Sequence, residues 1–447
     1  MSNKSVEDVW KARQCMGCGF CTVRTNAQSL PAARTYFDDH STQFKPATID
    51  PSQSFVCPGT EMDMPTLHAQ VYGSQPHDPL IGHYRLIAAI RSSGTSIQSR
   101  ASSGGAIPAI LRHLFATGQI DAAYCATNEG APHDSSGRIL RSESEISRIH
   151  GSIYHPINFG AELDQLLQEN VRFAFVGLPC EVAALEMLKK QRPDIRSRHV
   201  LSIGLFCGGI NELSGINYYT ARYGANALTS ANIQYRHGPW PGKMFVRDSH
   251  GSALTIPRIR GNTRLGILHY VIAFQGYWML PRCRICPDQI ADFADIAVGD
   301  PHSPRFRNLH GQGWSALVVR SERGEQILSS MLTTGDVEQM PLDRTELIES
   351  QGYTLDNRRH AQVYVRVAQI LGFRPPNIRV YGSLSQTESL RHYVYAAVDL
   401  IKLRLPRGRI IAKLYLPWQI FEYLFLTFAP NLVFRRIRKL MRNEIET

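Results

Sequence analysis

The sequence predicts an α/β protein with a central mixed sheet and flanking helices, an irregular N-terminal region and a helical C-terminal tail. Three observations support this prediction. Short apolar runs alternate with helical patterns from about residue 83 to residue 320. Residues 22–80 are rich in Pro, Thr, Ser and Gln and show little periodicity. The last part of the chain, residues 391–447, combines apolar runs with an excess of positive charge.

Hydrophobic periodicity predicts the elements of the core. Apolar residues at helical spacing in AIPAILRHLFATG predict a helix that ends at Gly118, and CEVAALEMLKK predicts a second helix. Continuous apolar runs predict buried strands. These runs are DAAYCAT, VRFAFVG, VLSIGLFC, ADIAVGD and SALVVR. A chain of 447 residues is long enough for two or three such units.

The N-terminal stretch RQCMGCGFCTV places Cys15, Cys18 and Cys21 three residues apart. Three thiols leave one over after a disulfide, and the short turns that contain glycine favour convergence on a shared centre. The spacing matches half of a ferredoxin-type ligand run, whose last cysteine precedes proline. FVCPGT supplies Cys57 followed by Pro58. This pattern favours a 4Fe-4S cluster over the alternative, a structural zinc site.

Four further cysteines accompany the predicted strands. Cys180 and Cys207 follow two strands, and Cys283 with Cys286 forms CRIC just before another strand. Ligands of open α/β sheets bind at the carboxyl ends of strands, so these thiols could form a second four-thiolate site. The spacing alone leaves open zinc, or two core cysteines beside an unrelated C-x-x-C pair. Cys125 lies within a predicted strand and is expected to be a buried core residue.

Two loops are candidates for binding a nucleotide. SRASSGGAIPAIL places two serines and two glycines before a helix, whose first-turn amides and dipole favour phosphate. An ordinary N-cap with a flexible loop would explain the same pattern. GSIYHP could add hydroxyl groups or an aromatic plane to the same site. The candidate residues are Ser102, Ser103, Gly104, Gly105, Ser152 and Tyr154.

Together these stretches resemble one family, the beta subunit of coenzyme F420 hydrogenase/dehydrogenase, whose relatives include a plant reductase of hydroxymethyl chlorophyll. The resemblance spans roughly residues 15–320. It is carried by CMGCGFC, SSGGAIPAILRHLFATGQIDAA, GSIYHP, VGLPCEVAALEML, GLFCGG and CRICPDQIADFADIAVGD.

The resemblance implies three cofactors. FAD would place its pyrophosphate on the loop from Ser102 to Gly105, with Ser152 and Tyr154 nearby. One 4Fe-4S cluster would be held by Cys180, Cys207, Cys283 and Cys286, and a second by Cys15, Cys18, Cys21 and Cys57.

The chain is expected to divide into five regions. These are an iron–sulfur region at 1–80, an FAD-binding part at 81–165, a part with the second iron–sulfur site at 166–330, a C-terminal extension of the core at 331–380 and a basic amphipathic helical tail at 381–447.

The expected function is that of an iron–sulfur flavoprotein oxidoreductase. Clusters move single electrons and a flavin can deliver two, so such a protein could carry electrons from ferredoxin or a deazaflavin to a small organic substrate. Whether coenzyme F420 is a substrate stays open. The alternatives are a non-catalytic electron-transfer subunit of a larger complex and a zinc-bound scaffold at the membrane surface. No catalytic residue is assigned. The histidines considered as acid or base are His150, His155, His237, His269 and His302.

Charge and the N-terminal sequence bear on partners and location. The formal net charge is +11, and residues 391–447 hold eleven Lys or Arg against four Asp or Glu. The rest of the chain is only mildly basic, which argues against nucleic acid as a partner. The broken apolar run within 401–442 predicts peripheral contact with a membrane, although a packed helical hairpin or a span is an alternative. MSNKSVEDVW is not typical of a secretory signal, so we expect a cytoplasmic protein, with the inner membrane face as an alternative.

Overall fold

The computed structural model describes residues 5–12, 14–23, 56–128, 130–149, 151–258, 262–309, 313–382 and 390–403, with the single positions 414 and 417. Its strands are β1 Glu61–Asp63, β2 Leu86–Ser92, β3 Ala122–Thr127, β4 Ser136–Leu140, β5 Phe173–Gly177, β6 His199–Leu205, β7 Asn232–His237, β8 Lys243–Arg247, β9 Ala253–Ile256, β10 Ile296–Gly299, β11 Ser315–Val319, β12 Val337–Pro341 and β13 Asn377–Arg379.

The helices within the same residues are α1 Val6–Lys11, α2 Met64–Tyr72, α3 Thr95–Gln98, α4 Ala106–Ala116, α5 Leu163–Gln168, α6 Pro179–Gln191, α7 Pro193–Arg198, α8 Leu213–Thr220, α9 Arg264–Gln275, α10 Pro281–Arg284, α11 Pro304–Arg307, α12 Glu322–Thr333, α13 Arg344–Ser350, α14 Gly352–Ile370 and α15 Leu390–Lys402.

A mixed sheet of eight strands forms the centre of the protein, as predicted. Its order is β12-β2-β11-β10-β6-β5-β3-β4. The pairs β10/β6, β6/β5 and β5/β3 are parallel, whereas the neighbouring pairs at both ends of the sheet are antiparallel. The antiparallel steps through β11 make β2 parallel to β10, so the carboxyl ends of β2, β10, β6, β5 and β3 share one edge.

The predicted core elements match the observed ones. The five predicted strands correspond to β3, β5, β6, β10 and β11, and the two predicted helices to α4 and α6. Both faces of the sheet are covered, since Tyr124 and Phe175 pack in one hydrophobic cluster with α6, while Cys125 and Val176 pack in another with α4. Cys125 is 2% exposed, which confirms it as a core residue.

Residues 56–80 are more regular than the composition predicts. Met64–Tyr72 forms helix α2, whose start is capped by the Asp63 carboxylate accepting a hydrogen bond from the Thr66 amide at 3.0 Å. An Asp residue shortly before a proline, such as Asp63 before Pro65, occurs at the starts of helices as well as in loops. The expectation of irregular structure in this segment was therefore incorrect. Strand β1 then pairs in parallel with β13, so Met62 lies beside Ile378. Residues 24–55 of the predicted loop region lie outside the described residues.

A smaller unit covers part of the carboxyl edge of the central sheet. Strands β7, β8 and β9 form an antiparallel sheet that packs on α8 and α9 through a cluster rich in aromatic side chains. Tyr154 packs against this cluster from the loop that follows the 3₁₀ turn at 143–148. The unit therefore borders the loops in which the candidate nucleotide-binding residues lie.

The predicted C-terminal tail begins as a helix. Helix α15 packs on α14, where the Tyr364 hydroxyl donates to the Asp399 carboxylate at 2.7 Å. The segment 401–442 predicted to contact a membrane lies outside the described residues, apart from 401–403 and positions 414 and 417. Among the helices that the structure describes, none is both long enough and apolar enough to cross a bilayer.

A buried ionic network joins distant parts of the chain. The Arg358 guanidinium lies 2.5 Å from the Asp292 carboxylate, and the Tyr381 hydroxyl donates to the same carboxylate at 2.9 Å. Arg320 lies 3.5 Å from Asp292 and donates to the carbonyl groups of Ile81, His83, Ile290 and Ala291. Asp292, Arg320 and Arg358 are fully buried. The network ties α14 and the end of β11 to the segment before β10.

We expect Asp292→Asn to lower the free energy of unfolding by about 3–5 kcal/mol, because it removes the carboxylate charge shared by the buried Arg320 and Arg358 and leaves Arg358 only the more distant Asp288, at 3.6 Å. Denaturant unfolding followed by circular dichroism measures this. The control is Asp194→Asn, which removes a surface partner of Arg192 and should cost at most about 1 kcal/mol. Equal losses in the two variants would contradict the proposed importance of the buried network.

Candidate functional site

The three N-terminal cysteines line one cavity together with Cys57. Ser5 caps the start of helix α1, because its hydroxyl accepts a hydrogen bond from the Asp8 amide at 3.2 Å. After α1, Gly17 and Gly19 adopt φ values of 71° and 78°, which turn the chain so that Cys15, Cys18 and Cys21 face the same space. Val6 and Val9 of α1 pack against Cys21 and Cys57. The cavity wall is therefore sulfur and hydrocarbon, with one charged residue, Arg282.

The cysteine segment is held against the rest of the protein at both ends. The Gln14 side-chain amide donates to the Arg374 carbonyl at 2.9 Å. At Gly19 the backbone touches Gly160, because a Cβ built on Gly19 would lie 2.4 Å from the Gly160 Cα. On the opposite wall, the Thr60 hydroxyl donates to the Cys57 carbonyl at 2.8 Å and stabilises the turn at Cys-Pro.

Burial favours the protonated form of the three N-terminal thiols, Cys15, Cys18 and Cys21. Burial is the main cause that raises the pKa of Cys15 to about 11 and that of Cys18 to about 12, and neighbouring cysteines add to it. Burial likewise raises the pKa of Cys21 well above its usual value. Thiolates are the form that binds metal, so this site needs a positively charged centre to become deprotonated.

The second set of cysteines surrounds the carboxyl ends of β5 and β6. Cys180 lies in the first turn of α6 after β5, Cys207 follows β6, and Cys283 lies in α10 with Cys286 just beyond it. Burial is the main cause that raises the pKa of Cys180 and that of Cys207; the nearby Cys286 adds to the first shift, and Cys283 and Cys286 add to the second. All four groups therefore lie close enough to interact electrostatically.

Hydrogen bonds and packing orient this second set. The Ile210 amide donates to the Cys283 sulfur at 3.4 Å, and the Cys286 thiol donates to the Asp288 carbonyl at 3.1 Å. Cys180 and Cys283 pack with Met16, whose sulfur lies 3.8 Å from that of Cys180. Since Met16 lies between Cys15 and Gly17, the two cysteine sets are neighbours.

No three His, Cys, Asp or Glu side chains among the described residues approach closely enough to hold a single metal ion. A four-iron cubane holds its four thiolates farther apart than one ion does. The donor chemistry of both sets, four cysteines each in a buried and mostly apolar environment, fits such a cluster.

The predicted nucleotide loop lies at the same edge of the sheet. The Ser102 hydroxyl accepts a hydrogen bond from the Ser152 amide at 2.9 Å, so the two predicted loops are brought together. Ser103 donates to the Trp314 carbonyl, and the Gly104 amide donates to the Ser315 hydroxyl at 3.1 Å. A Cβ on Gly104 would lie 2.4 Å from the Ile90 carbonyl oxygen, which explains the glycine.

These contacts leave the start of α4 as the candidate phosphate-binding element of the loop. Ser103 and Gly104 are bonded to the start of β11, whereas Gly105 is the N-cap of α4 and supplies no side-chain cap. The amides of the first turn of α4 have no intrahelical acceptor. The helix dipole adds positive potential at the same point.

Sequence reasoning missed the charged residues beside Tyr154. The Tyr154 ring lies 5.0 Å from that of Tyr235, and the Arg258 guanidinium lies 5.9 Å from its centre. Arg236 forms a 2.5 Å ion pair with Asp300, which follows β10. Because Asp300 directly follows a predicted strand, it could have been identified as a candidate site residue from the sequence. Nothing in the sequence around Arg236 and Arg258 links these two arginines to the loop.

The electrostatics here favour an anion. Burial would raise the pKa of Asp300, but the charges of Arg236 and His302 hold it below its usual value. Asp300 is therefore ionised and offsets one of the two arginines. The second arginine and the start of α4 leave the site with an excess of positive charge.

The candidate histidines occupy different places. Both ring nitrogens of His155 have partners, at 2.5 Å from the Tyr235 hydroxyl and 3.0 Å from the Pro132 carbonyl, and burial lowers its pKa to about 4. His269 lies 2.6 Å from the Tyr218 hydroxyl, and burial lowers its pKa to about 4 as well. His237 is exposed beside Gln234. His302 lies 3.8 Å from Asp300.

Of these four histidines, His302 is the one that borders the candidate nucleotide loop, because Asp300 also contacts Ser103. Its side chain is half exposed. His150 lies outside the described residues.

Two family models match the chain. The model described as coenzyme F420 hydrogenase/dehydrogenase, beta subunit N-term, matches residues 87–163, and the corresponding C-terminus model matches residues 171–345. Together they cover more than half of the 447 residues. The matched regions include the loops at 102–105 and 151–154 and the cysteine set from 180 to 286. The N-terminal cysteine set lies outside both.

Curated relatives agree with these matches. A coenzyme F420 hydrogenase subunit beta of Methanosarcina barkeri is 22% identical over 277 residues, which are 60% of this chain and 86% of the relative. The F420-dependent formate dehydrogenase subunit beta of Methanocaldococcus jannaschii is 22% identical over 241 residues, 54% of this chain and 57% of the relative. These names support an oxidoreductase role for the family.

A solved structure has the same fold. A chain of the F420-reducing [NiFe] hydrogenase complex from Methanosarcina barkeri superimposes with a TM-score of 0.53 at 19% sequence identity. The superposition covers 67% of this chain and 98% of that chain. About a third of this chain lies outside the superposition.

The contact between Gly19 and Gly160 gives a packing prediction. Gly19→Ala should destabilise the protein more than Gly73→Ala, because both glycines have positive φ, at 78° and 73°, but a Cβ at 73 meets nothing within 4 Å. We expect about 1 kcal/mol for the backbone strain at either position, and a larger loss at 19. Thermal unfolding and the rate at which protease cuts near residue 19 measure the difference. Equal effects would show that the two backbones are not in contact.

Proposed function

Because the chain belongs to the coenzyme F420 hydrogenase/dehydrogenase beta subunit family, we propose that it is an iron–sulfur flavoprotein that carries electrons between a protein or deazaflavin donor and an organic substrate. The observation that carries this proposal is the pair of neighbouring four-cysteine sets at one edge of the sheet, with a positively charged loop site beside them.

In this proposal each cysteine set holds one 4Fe-4S cluster. Cys15, Cys18, Cys21 and Cys57 would hold the N-terminal cluster, and Cys180, Cys207, Cys283 and Cys286 the other. The Ile210 amide, which donates to Cys283, would offset thiolate charge at the second site. The contact between Met16 and Cys180 would place the two clusters as neighbours.

The same proposal places FAD at the loop between β2 and α4. The first-turn amides of α4 would bind the pyrophosphate, since Ser103 and Gly104 are engaged with β11. Arg258 and the Tyr154 ring would border the flavin, and His302 is the candidate proton carrier because it is half exposed and adjacent to the ionised Asp300. A bound flavin would convert single electrons into two-electron transfer.

The electron partners follow from the same chemistry. The electron donor would be ferredoxin or another one-electron carrier, or a reduced deazaflavin such as coenzyme F420, and the acceptor a small organic molecule. The proposed location is the cytoplasm. Segment 401–442 would provide peripheral membrane contact through its basic and apolar residues.

Cofactor analysis of anaerobically purified protein tests this proposal. We expect about eight iron atoms and about one FAD per chain, with Cys18→Ala and Cys207→Ala each lowering the iron to about four. Cys125→Ala is the matched control, because Cys125 is a buried cysteine outside both sets and should leave the iron unchanged. Colourless protein with one tightly bound zinc in place of iron would overturn the proposal and favour the scaffold alternative.

A second candidate is a relay subunit without a substrate site of its own. The names of the relatives favour it, since they describe subunits, and the solved neighbour is part of a hydrogenase complex. In this case the chain would pass electrons to or from a partner that holds the substrate.

Turnover by the isolated chain separates the two candidates. With reduced viologen under anaerobic conditions, an enzyme should reduce coenzyme F420 or another organic acceptor over many cycles. A relay should take up electrons into its clusters and flavin once and release no product. The absorbance of the bound cofactors and of the acceptor, followed together, gives the answer.

A further inference from the structure

Arg282 lies between the two cysteine sets. It precedes Cys283 in α10, yet it also lines the cavity of Cys15, Cys18, Cys21 and Cys57. One of its guanidinium nitrogens lies 3.3 Å from the point that a Cβ on Gly59 would occupy, next to the Cys57 turn. Arg282 is 6% exposed, so its charge is removed from water.

The charge of Arg282 lacks the partner that other buried arginines have. Arg358 pairs with Asp292, Arg236 with Asp300, and Arg284 with Asp399 at 3.6 Å. Among the described residues no carboxylate lies within ion-pair distance of Arg282, although its charge partly opposes the rise that burial causes in the pKa of the buried Glu181. Its strongest charge interactions are instead with cysteines of both sets, which are Cys180, Cys57, Cys18 and Cys286.

A buried guanidinium surrounded by neutral thiols would be a costly arrangement, because nothing would replace the water lost on burial. Four thiolates around a 4Fe-4S core carry a net negative charge, and this negative charge grows by one on reduction. Two such anions side by side repel each other. A cation between them lowers this repulsion and stabilises the reduced state of each.

We propose that Arg282 is the shared counter-ion of the two iron–sulfur sites, so that one side chain raises the reduction potential of both clusters. This inference rests on the proposed function, because it needs both clusters to be present. Arg282 is a positioning residue in this role, since it acts on the cluster ligands through its charge and takes no part in substrate chemistry.

The test is a potentiometric titration of the whole protein, followed by electron paramagnetic resonance, for the wild type and three variants. In Arg282→Gln, the ratio of reduced to oxidised cluster at a fixed potential should fall at least about tenfold at both sites, which is a shift of about 59 mV to lower potential for each one-electron centre. Arg282→Lys keeps the charge and should shift both sites less. A shift at one site alone, or at neither, would overturn the proposal.

Arg284→Gln is the control, because Arg284 lies two residues away in the same helix but is paired with Asp399. Burial raises the pKa of Cys283 and the charge of Arg284 partly opposes this rise, so removal of Arg284 should affect at most the second site. If it shifted both potentials as much as Arg282→Gln, the effect would come from general disturbance of α10 and the proposal would fail.

Iron content separates a charge effect from a packing effect. If Arg282→Gln and Arg282→Met lose iron while Arg282→Lys retains it, the charge is required for assembly, and this supports the proposal. Loss of iron in all three variants would assign the effect to the shape of arginine and overturn it. If the wild type itself contains no iron, the proposed function fails, whereas full iron with unchanged potentials in the variants refutes only the role of Arg282.

Discussion

The Asp292 carboxylate lies in the protein interior with two guanidinium groups, and the arrangement of the chain around the candidate site depends on it. Asp292 belongs to the segment between the CRIC turn and β10, which has little regular structure of its own. Arg358 fixes this segment to α14, and Arg320 fixes it to the end of β11. Because each ion is fully buried, the penalty for separating them is large. The network therefore holds the Cys283 and Cys286 turn at the carboxyl edge of the sheet.

The other candidate functional groups lie at the same carboxyl edge of the central sheet. Parallel strands deliver Cys180, Cys207 and Asp300 to it, and the loop after β2 adds the start of α4. Helices α14 and α15 cover the CRIC turn from outside, where Arg284 meets Asp399. The direction of the parallel strands therefore determines where the site lies, and helices α14 and α15 cover it. Arg282 is the point at which the two cysteine sets share one electrostatic environment.

Much of this arrangement could be predicted from local patterns. Apolar runs identified β3, β5, β6, β10 and β11, and cysteine spacing selected the residues that line the N-terminal cavity. Local patterns did not predict the contacts that are made between residues distant in sequence. Strand β12 joins the sheet beside β2, and the groups that face Arg236 and Arg282 come from segments distant in sequence. Helix α2 was missed because its capping Asp and first-turn Pro also occur in loops. The placement of the tail within 401–442 could not be compared, because most of it lies outside the described residues.

The contacts that enclose the N-terminal cysteines have a consequence for how the protein matures. Cys15, Cys18 and Cys21 leave the ribosome before Gly160, whose backbone contacts the segment, and before Arg374, whose carbonyl accepts the hydrogen bond from Gln14. During translation these three thiols therefore have no enclosing wall until most of the chain has been made. The proposed cluster on these thiols can therefore be fully enclosed only after the body of the protein has folded, and the thiols are exposed to oxidants until then.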